Sequence, residues 1–210
     1  MKQDGTEAEM KRYNRTHGTC RVITPLGLAL LGMSLGLLPA PAQDLIEYSL
    51  VKVYVTNTGS GTVSVLGGGG VPVGLLPMAV VAAPGADTAY VGNFGSGTVS
   101  VINGATLAVT ATIPVGSGPR ALALHPTKLY AANFGSGTVT VINRSTNTVM
   151  GTIPVGAGPS ALRLVLGDAY LIVVNATSNT VSVIDTATNA VVDTLPVGDA
   201  TVFSEVASSS

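Results

Sequence analysis

NFGSGTVSVIN at residues 93–103 is followed by NFGSGTVTVIN at residues 133–143, and the two words differ only at Ser100 against Thr140. A chain that spells one phrase twice repeats a structural unit. Aligning on the asparagine that opens the phrase brings in two further copies. The four asparagines are Asn57, Asn93, Asn133 and Asn175, at spacings of 36, 40 and 42 residues. After each comes a turn, then an alternating segment: TVSVL from Thr62, TVSVI from Thr98, TVTVI from Thr138 and TVSVI from Thr180. Next come a second turn and a segment ending in Ile113-Pro-Val-Gly116, Ile153-Pro-Val-Gly156 or Leu195-Pro-Val-Gly198. Pro119-Arg120-Ala121-Leu122 and Pro159-Ser160-Ala161-Leu162 then open an apolar stretch that leads to the next asparagine.

Period-two alternation puts Val99 and Val101 on one face of a strand and Thr98 and Ser100 on the other. Each unit therefore predicts about four short antiparallel strands, A to D, with B ending at the asparagine. A sheet of about 40 residues cannot bury its apolar faces alone, whereas copies stacked radially can, as the blades of a β-propeller. Composition agrees: 26 glycines, no tryptophan, 46% hydrophobic and 10% charged residues suit many short strands joined by tight turns.

Tyr54-Val-Thr-Asn57, followed by a GSGTVSV-like word and by IPVG-x-GP, resembles the YVTN β-propeller repeat of surface-layer and other exported prokaryotic proteins. The resemblance covers residues 50 to 207. It implies an all-β fold of four-stranded blades, displayed outside the cytoplasm. Rings of that family are usually larger, often seven-bladed, whereas this chain holds about four units.

The first unit begins at strand B, and the last ends at D before adding Thr201 to Ala207. That last segment falls where strand A belongs. The expected closure pairs it with the N-terminal blade, giving about four full blades and no open edges. The alternative is an open arc that pairs with a second arc as a homodimer. Gly67 to Gly70 stands in for about six residues of the other units, so the C–D hairpin of the first unit is expected to be short.

Upstream, Val22 to Leu38 is an uncharged apolar run preceded by Arg15 and Arg21 and followed by Ala40-Pro-Ala42. These are the parts of a secretory signal peptide. Residues 1–42 are therefore expected to be a cleaved signal, and residues 43–210 the propeller domain. Initiation at Met10 would remove Asp4, Glu7 and Glu9 from the charged region, so Met10 is the expected start. No membrane span is expected after cleavage.

Asn57, Asn93, Asn133 and Asn175 are read as structural, each capping the turn that follows through its side chain. Gly61, Gly97, Gly137 and Asn179 share one turn position and are expected at positive φ. Arg163 and Glu205 take the strand-A position of Val81 and Ala123. Strand A lines the channel of a propeller, so these two are the binding candidates and an expected ion pair across the closure.

No nucleophile–His–acid set can be assembled, and no catalytic residue, cofactor or metal is assigned. Cys20 precedes the apolar run, and His125, expected to be exposed, is the one histidine after it. Lys+Arg 10 against Asp+Glu 11 leaves no field directed at nucleic acid. The expected function is an exported, non-enzymatic binding or scaffold module at the cell surface or in the periplasm. Its partner would be a protein or a cell-envelope polymer. The alternatives are a lactonase-like or dehydrogenase-like propeller enzyme or accessory, and an incomplete propeller that works only as an oligomer.

Overall fold

The computed structural model describes residues 52–83 and 87–198. The signal segment, Met10, Cys20, Glu205 and the segment 201–207 lie outside the described residues. Fifteen strands in four antiparallel sheets account for the repeat, and no helix occurs among the described residues. The first blade holds β1 (Tyr54–Asn57), β2 (Thr62–Val65) and β3 (Gly70–Pro72). The second holds β4 (Pro77–Ala82), β5 (Thr88–Asn93), β6 (Thr98–Asn103) and β7 (Ala108–Pro114). The third runs through β8 (Pro119–Leu124), β9 (Lys128–Asn133), β10 (Thr138–Asn143) and β11 (Thr148–Pro154). The fourth runs through β12 (Pro159–Val165), β13 (Tyr170–Asn175), β14 (Thr180–Asp185) and β15 (Ala190–Pro196).

Every sheet is a simple meander in chain order, so each unit of the repeat folds into one sheet. Among the described residues the first blade has three strands, and segment 201–207, the expected strand A, lies outside them. Its outer strand β3 spans only three residues, where Gly67 to Gly70 shorten the hairpin.

The core lies between blades. One layer joins Tyr90, Val99, Val101 and Ile113 of the second blade to Leu122, Leu129, Ala131 and Ile142 of the third. Another joins Ala123, Tyr130, Val139, Val141 and Ile153 to Leu171, Val173 and Ile184 of the fourth. The first blade meets the second through Val63, Val65 and Val71 against Ala89, Val91 and Ile102. Each middle blade thus presents a front face to its successor and a back face to its predecessor. Thr98-Val-Ser-Val-Ile-Asn103 is buried from Val99 to Ile102, because alternate side chains enter different layers. The outer strands β7, β11 and β15 are mostly exposed.

The turn words serve distinct contacts. The carbonyl of Asn93 accepts N–H bonds from Ser96 (3.2 Å) and Gly97 (3.0 Å). Gly97 then takes φ +62, which turns its own carbonyl toward Val115 N–H at 2.9 Å. Gly61, Gly137 and Asn179 take φ of 65, 62 and 53 and accept from Val73, Val155 and Val197 in the same way. The left-handed residue of one hairpin is therefore what holds the IPVG word of the same blade.

The side chains of the four asparagines do something other than the expected capping. Asn93 Nδ2 donates across the sheet to Thr98 Oγ1 at 3.0 Å and Ser100 Oγ at 2.9 Å. Asn133 bonds Thr138 and Thr140 at 3.0 and 2.8 Å, Asn175 bonds Thr180 and Ser182 at 3.1 and 2.9 Å, and Asn57 bonds Thr62 and Ser64 at 3.0 and 2.8 Å. The reason is geometric. Each asparagine pairs with the first threonine of strand C, so its side chain points along a row of hydroxyls rather than back into the turn. Side-chain capping falls instead to Asn103, Asn143 and Asp185, whose Oδ1 atoms accept two backbone N–H groups in the next hairpin.

Two predictions follow from the layers. Ile142 is fully buried, so Ile142→Ala is expected to cost about 2–5 kcal/mol in urea denaturation, while Val192→Ala on the exposed outer strand changes stability by under ~0.5 kcal/mol. A methyl group at Gly116 would lie 2.7 Å from Asn133 Cγ, whereas one at Gly151 meets nothing within 4 Å. Gly116→Ala is therefore expected to lower the melting temperature, and Gly151→Ala to leave it unchanged or raise it, by about 0.4–1 kcal/mol of stability.

Candidate functional site

The innermost strands β4, β8 and β12 stand side by side and bound a groove of about 530 Å³. Among the described residues its lining combines Arg120, Ser160 and Arg163 with small and apolar residues of the three strands. Met78, Arg120 and Ser160 occupy one repeat position, the residue after the proline that opens strand A. A bulge between Pro77 and Ala79, repeated at Pro119/Ala121 and Pro159/Ala161, interrupts the ladder at that residue. Bulges re-aim side chains, and here the re-aimed positions are exposed in two blades of three.

At the mouth of the groove the Arg120 guanidinium lies over the Phe134 ring, 5.1 Å from its centroid. Phe134 in turn stands 6.4 Å from Phe94, ring centre to ring centre, at a tilt of 45°. Both rings follow the repeated asparagine, where the first and fourth blades have Thr58 and Ala176. Phe94 approaches Gly118, where a methyl group would come within 3.0 Å of the ring, so glycine there makes room for the aromatic. The cluster joins one cation to two half-buried rings.

Arg163 borders the same groove. Its repeat equivalent Val81 borders the groove too, and Val81 and Ala123 also touch the apolar layers between blades. Glu205 lies outside the described residues, and with it the expected ion pair. Phe94, Phe134 and Arg120 were missed as site residues. Arg120 falls where the repeat varies, whereas Phe94 and Phe134 are shared by two units and replaced by Thr58 and Ala176 in the other two.

At the opposite end of the third and fourth blades lies a second polar cluster. Lys128 Nζ donates to Thr186 O at 2.6 Å and to Asn189 Oδ1 at 3.1 Å, and Tyr130 OH donates to the same Oδ1 at 3.2 Å. His125 is half-buried rather than exposed, edge-on to Tyr130 at 6.3 Å, because Arg144 Nη1 ties down the carbonyls of His125 and Pro126. Burial lowers the His125 pKa, opposed by the nearby Asp168 carboxylate. Backbone N–H donation, from Thr188 first, lowers that of Asp185. Burial pushes Tyr130 up from 10.0 to about 12. These bonds join neighbouring blades, so the cluster is a fastening. Lys52 bridges Asp87 in the matching place between the first and second blades.

The described residues contain no group of three or more His, Cys, Asp and Glu side chains placed to hold a metal ion. Among the described residues there is no helix long and apolar enough to cross a membrane.

Among solved structures, the chain is similar to hydrazine synthase of Kuenenia stuttgartiensis, with a TM-score of 0.63 and 23% identity over 69% of this chain and 45% of that one. It is also similar to a putative 6-phosphogluconolactonase from Bacteroides uniformis, with a TM-score of 0.60 and 19% identity over 72% of this chain and 53% of the other. At these identities the likeness is one of fold, and it agrees with the blades described above: the chain is an all-β protein of the propeller type. It spans about half the length of the structures it matches. No protein-family model matches the chain, and no curated protein does.

The Tyr130 shift has a sign. The folded state holds the phenol neutral above the ordinary value, so the associated stability is fully present below pH 10 and is lost as pH rises through about 12. Thermal melts across that alkaline range are expected to fall more steeply for the native chain than for Tyr130→Phe.

Proposed function

We propose that the chain is an exported propeller of the YVTN-repeat type that acts as a non-enzymatic binding module in the periplasm or at the cell surface. The observation that carries this reading is the groove along the inner strands. Arg120 and Ser160 lie in its described lining, and the Arg120 guanidinium stands over Phe134 beside Phe94. That chemistry suits a carboxylate-bearing partner, either an acidic protein segment or an acidic envelope polymer. The export half of the reading rests on the apolar run of residues 22–38 and on Ala40-Pro-Ala42. The likeness to a putative 6-phosphogluconolactonase fits an enzymatic reading only weakly, because at 19% identity it extends to the fold alone.

Titration calorimetry with polygalacturonate as the probe tests the binding half. Saturable binding is expected, weakening as salt is raised, with Arg120→Ala reducing affinity by about 10-fold or more, since a hydrogen bond to a charged group is worth about 1.5–3 kcal/mol. Absence of binding, or binding indifferent to Arg120→Ala, would overturn it. Terminal sequencing of the exported protein is expected to begin at Gln43.

A further inference from the structure

The first and fourth blades each leave one face uncovered, and the repeat states what belongs there. On the front of the fourth blade, Ile172, Val181, Val183 and Leu195 take the positions that Tyr130, Val139, Val141 and Ile153 fill in the third. Leu195 is 48% exposed, against 4% for Ile113 and 6% for Ile153. On the back of the first blade, Val53, Val55 and Leu66 are 45%, 52% and 74% exposed, whereas their equivalents Ala89, Val91 and Ile102 are all at 0%. Ser64 is exposed on the same face, where Ser100, Thr140 and Ser182 are buried.

A second set of contacts marks the same two faces. Gly74, Gly116 and Gly156 end the IPVG-like words of three blades. Each lies against the asparagine of the following blade, so that a methyl group there would come within 2.7 Å of Asn93, Asn133 or Asn175 respectively. Gly198 is the fourth of the series and has no atom within 4 Å of that position. Asn57 is the one asparagine of the four that is not buried. A front face ending in Gly198 and a back face carrying Asn57 are the two halves of one interblade junction.

We propose that a second copy of this chain completes both halves. The fourth blade of one copy takes the first blade of the other, at two equivalent junctions, so that two four-blade arcs form one eight-blade ring. The chain carries both complementary faces, and both are exposed at once. This chain covers 45% and 53% of the solved structures it is similar to, and a second copy would supply a further length of that size. Head-to-tail junctions of this kind close when the rotations sum to a full turn. The buried contact would be the same apolar layer that joins the blades within each chain.

Sedimentation and light scattering of the purified full chain test the proposal. The expected mass is that of two chains. Leu66→Asp on the back face and Leu195→Asp on the front face each yield monomer with an unchanged circular-dichroism spectrum, because both residues are exposed within one chain. Mixing the two variants restores a dimer, since one junction then joins two native faces. Gly198→Ala weakens association at least tenfold while leaving the melting temperature of the dissociated chain unaltered. A monomeric native chain would overturn the proposal and point to closure by the chain's own ends. A dimer indifferent to Leu195→Asp and Gly198→Ala would overturn it as well.

Discussion

The layer between blades is the interaction on which the rest of this protein depends. A single four-stranded meander has two apolar faces and no partner for either within itself. Val99 and Val101 enter one layer and Ile102 enters another, although all three lie on one strand. Stability is therefore a property of neighbours, as in repeat proteins generally, where interface terms between adjacent units add to modest intrinsic terms. The same constraint explains why strands β7, β11 and β15 tolerate polar, exposed sequences. They lie at the outer rim, beyond the reach of the next blade.

Polar pins set the register of these apolar layers. Each asparagine reaches along strand C to two hydroxyls, and Asn93, Asn133 and Asn175 also lie against a glycine of the preceding blade. In those three, one side chain joins two strands of its own sheet and faces the blade before it. An apolar residue there would leave the buried hydroxyl of Thr140 without its donor, which is costly. The left-handed turn residue completes the arrangement by directing its carbonyl to the valine of IPVG. The repeated words are thus linked to one another through defined hydrogen bonds, which is why they recur together. Lys52 with Asp87, and Lys128 with Asn189, add fastenings at the other end of the blades.

A scaffold repeated this faithfully separates framework from site. Where the residue repeats, it holds the blade. Where it changes, the fold does not require it, and a ligand or partner can decide it. Arg120 is such a position, and Phe94 and Phe134 occur in only two of the four units; the three meet although Phe94 and Phe134 lie 40 residues apart. Their convergence was not legible in the sequence, because it depends on the rotation between blades and on the bulge that re-aims Arg120. The position of Arg163 was legible as a repeat equivalent of Ala123. Alternation says which residues share its face but not which body lies against it.

The sequence by itself determined the strand order, the blade boundaries, the shortened first hairpin and the left-handed turns. All of these follow from local periodicity and from the conformational freedom of glycine and asparagine, properties of a few adjacent residues. Tertiary structure alone decided that the repeated asparagines bond across the sheet rather than into the turn, that glycines 74, 116 and 156 must lack a side chain, and that aromatic rings and arginine gather over one groove. These facts are set by what the neighbouring blade places within a few ångströms. That distance is a relation between residues far apart in the chain, and no pattern within one repeat contains it.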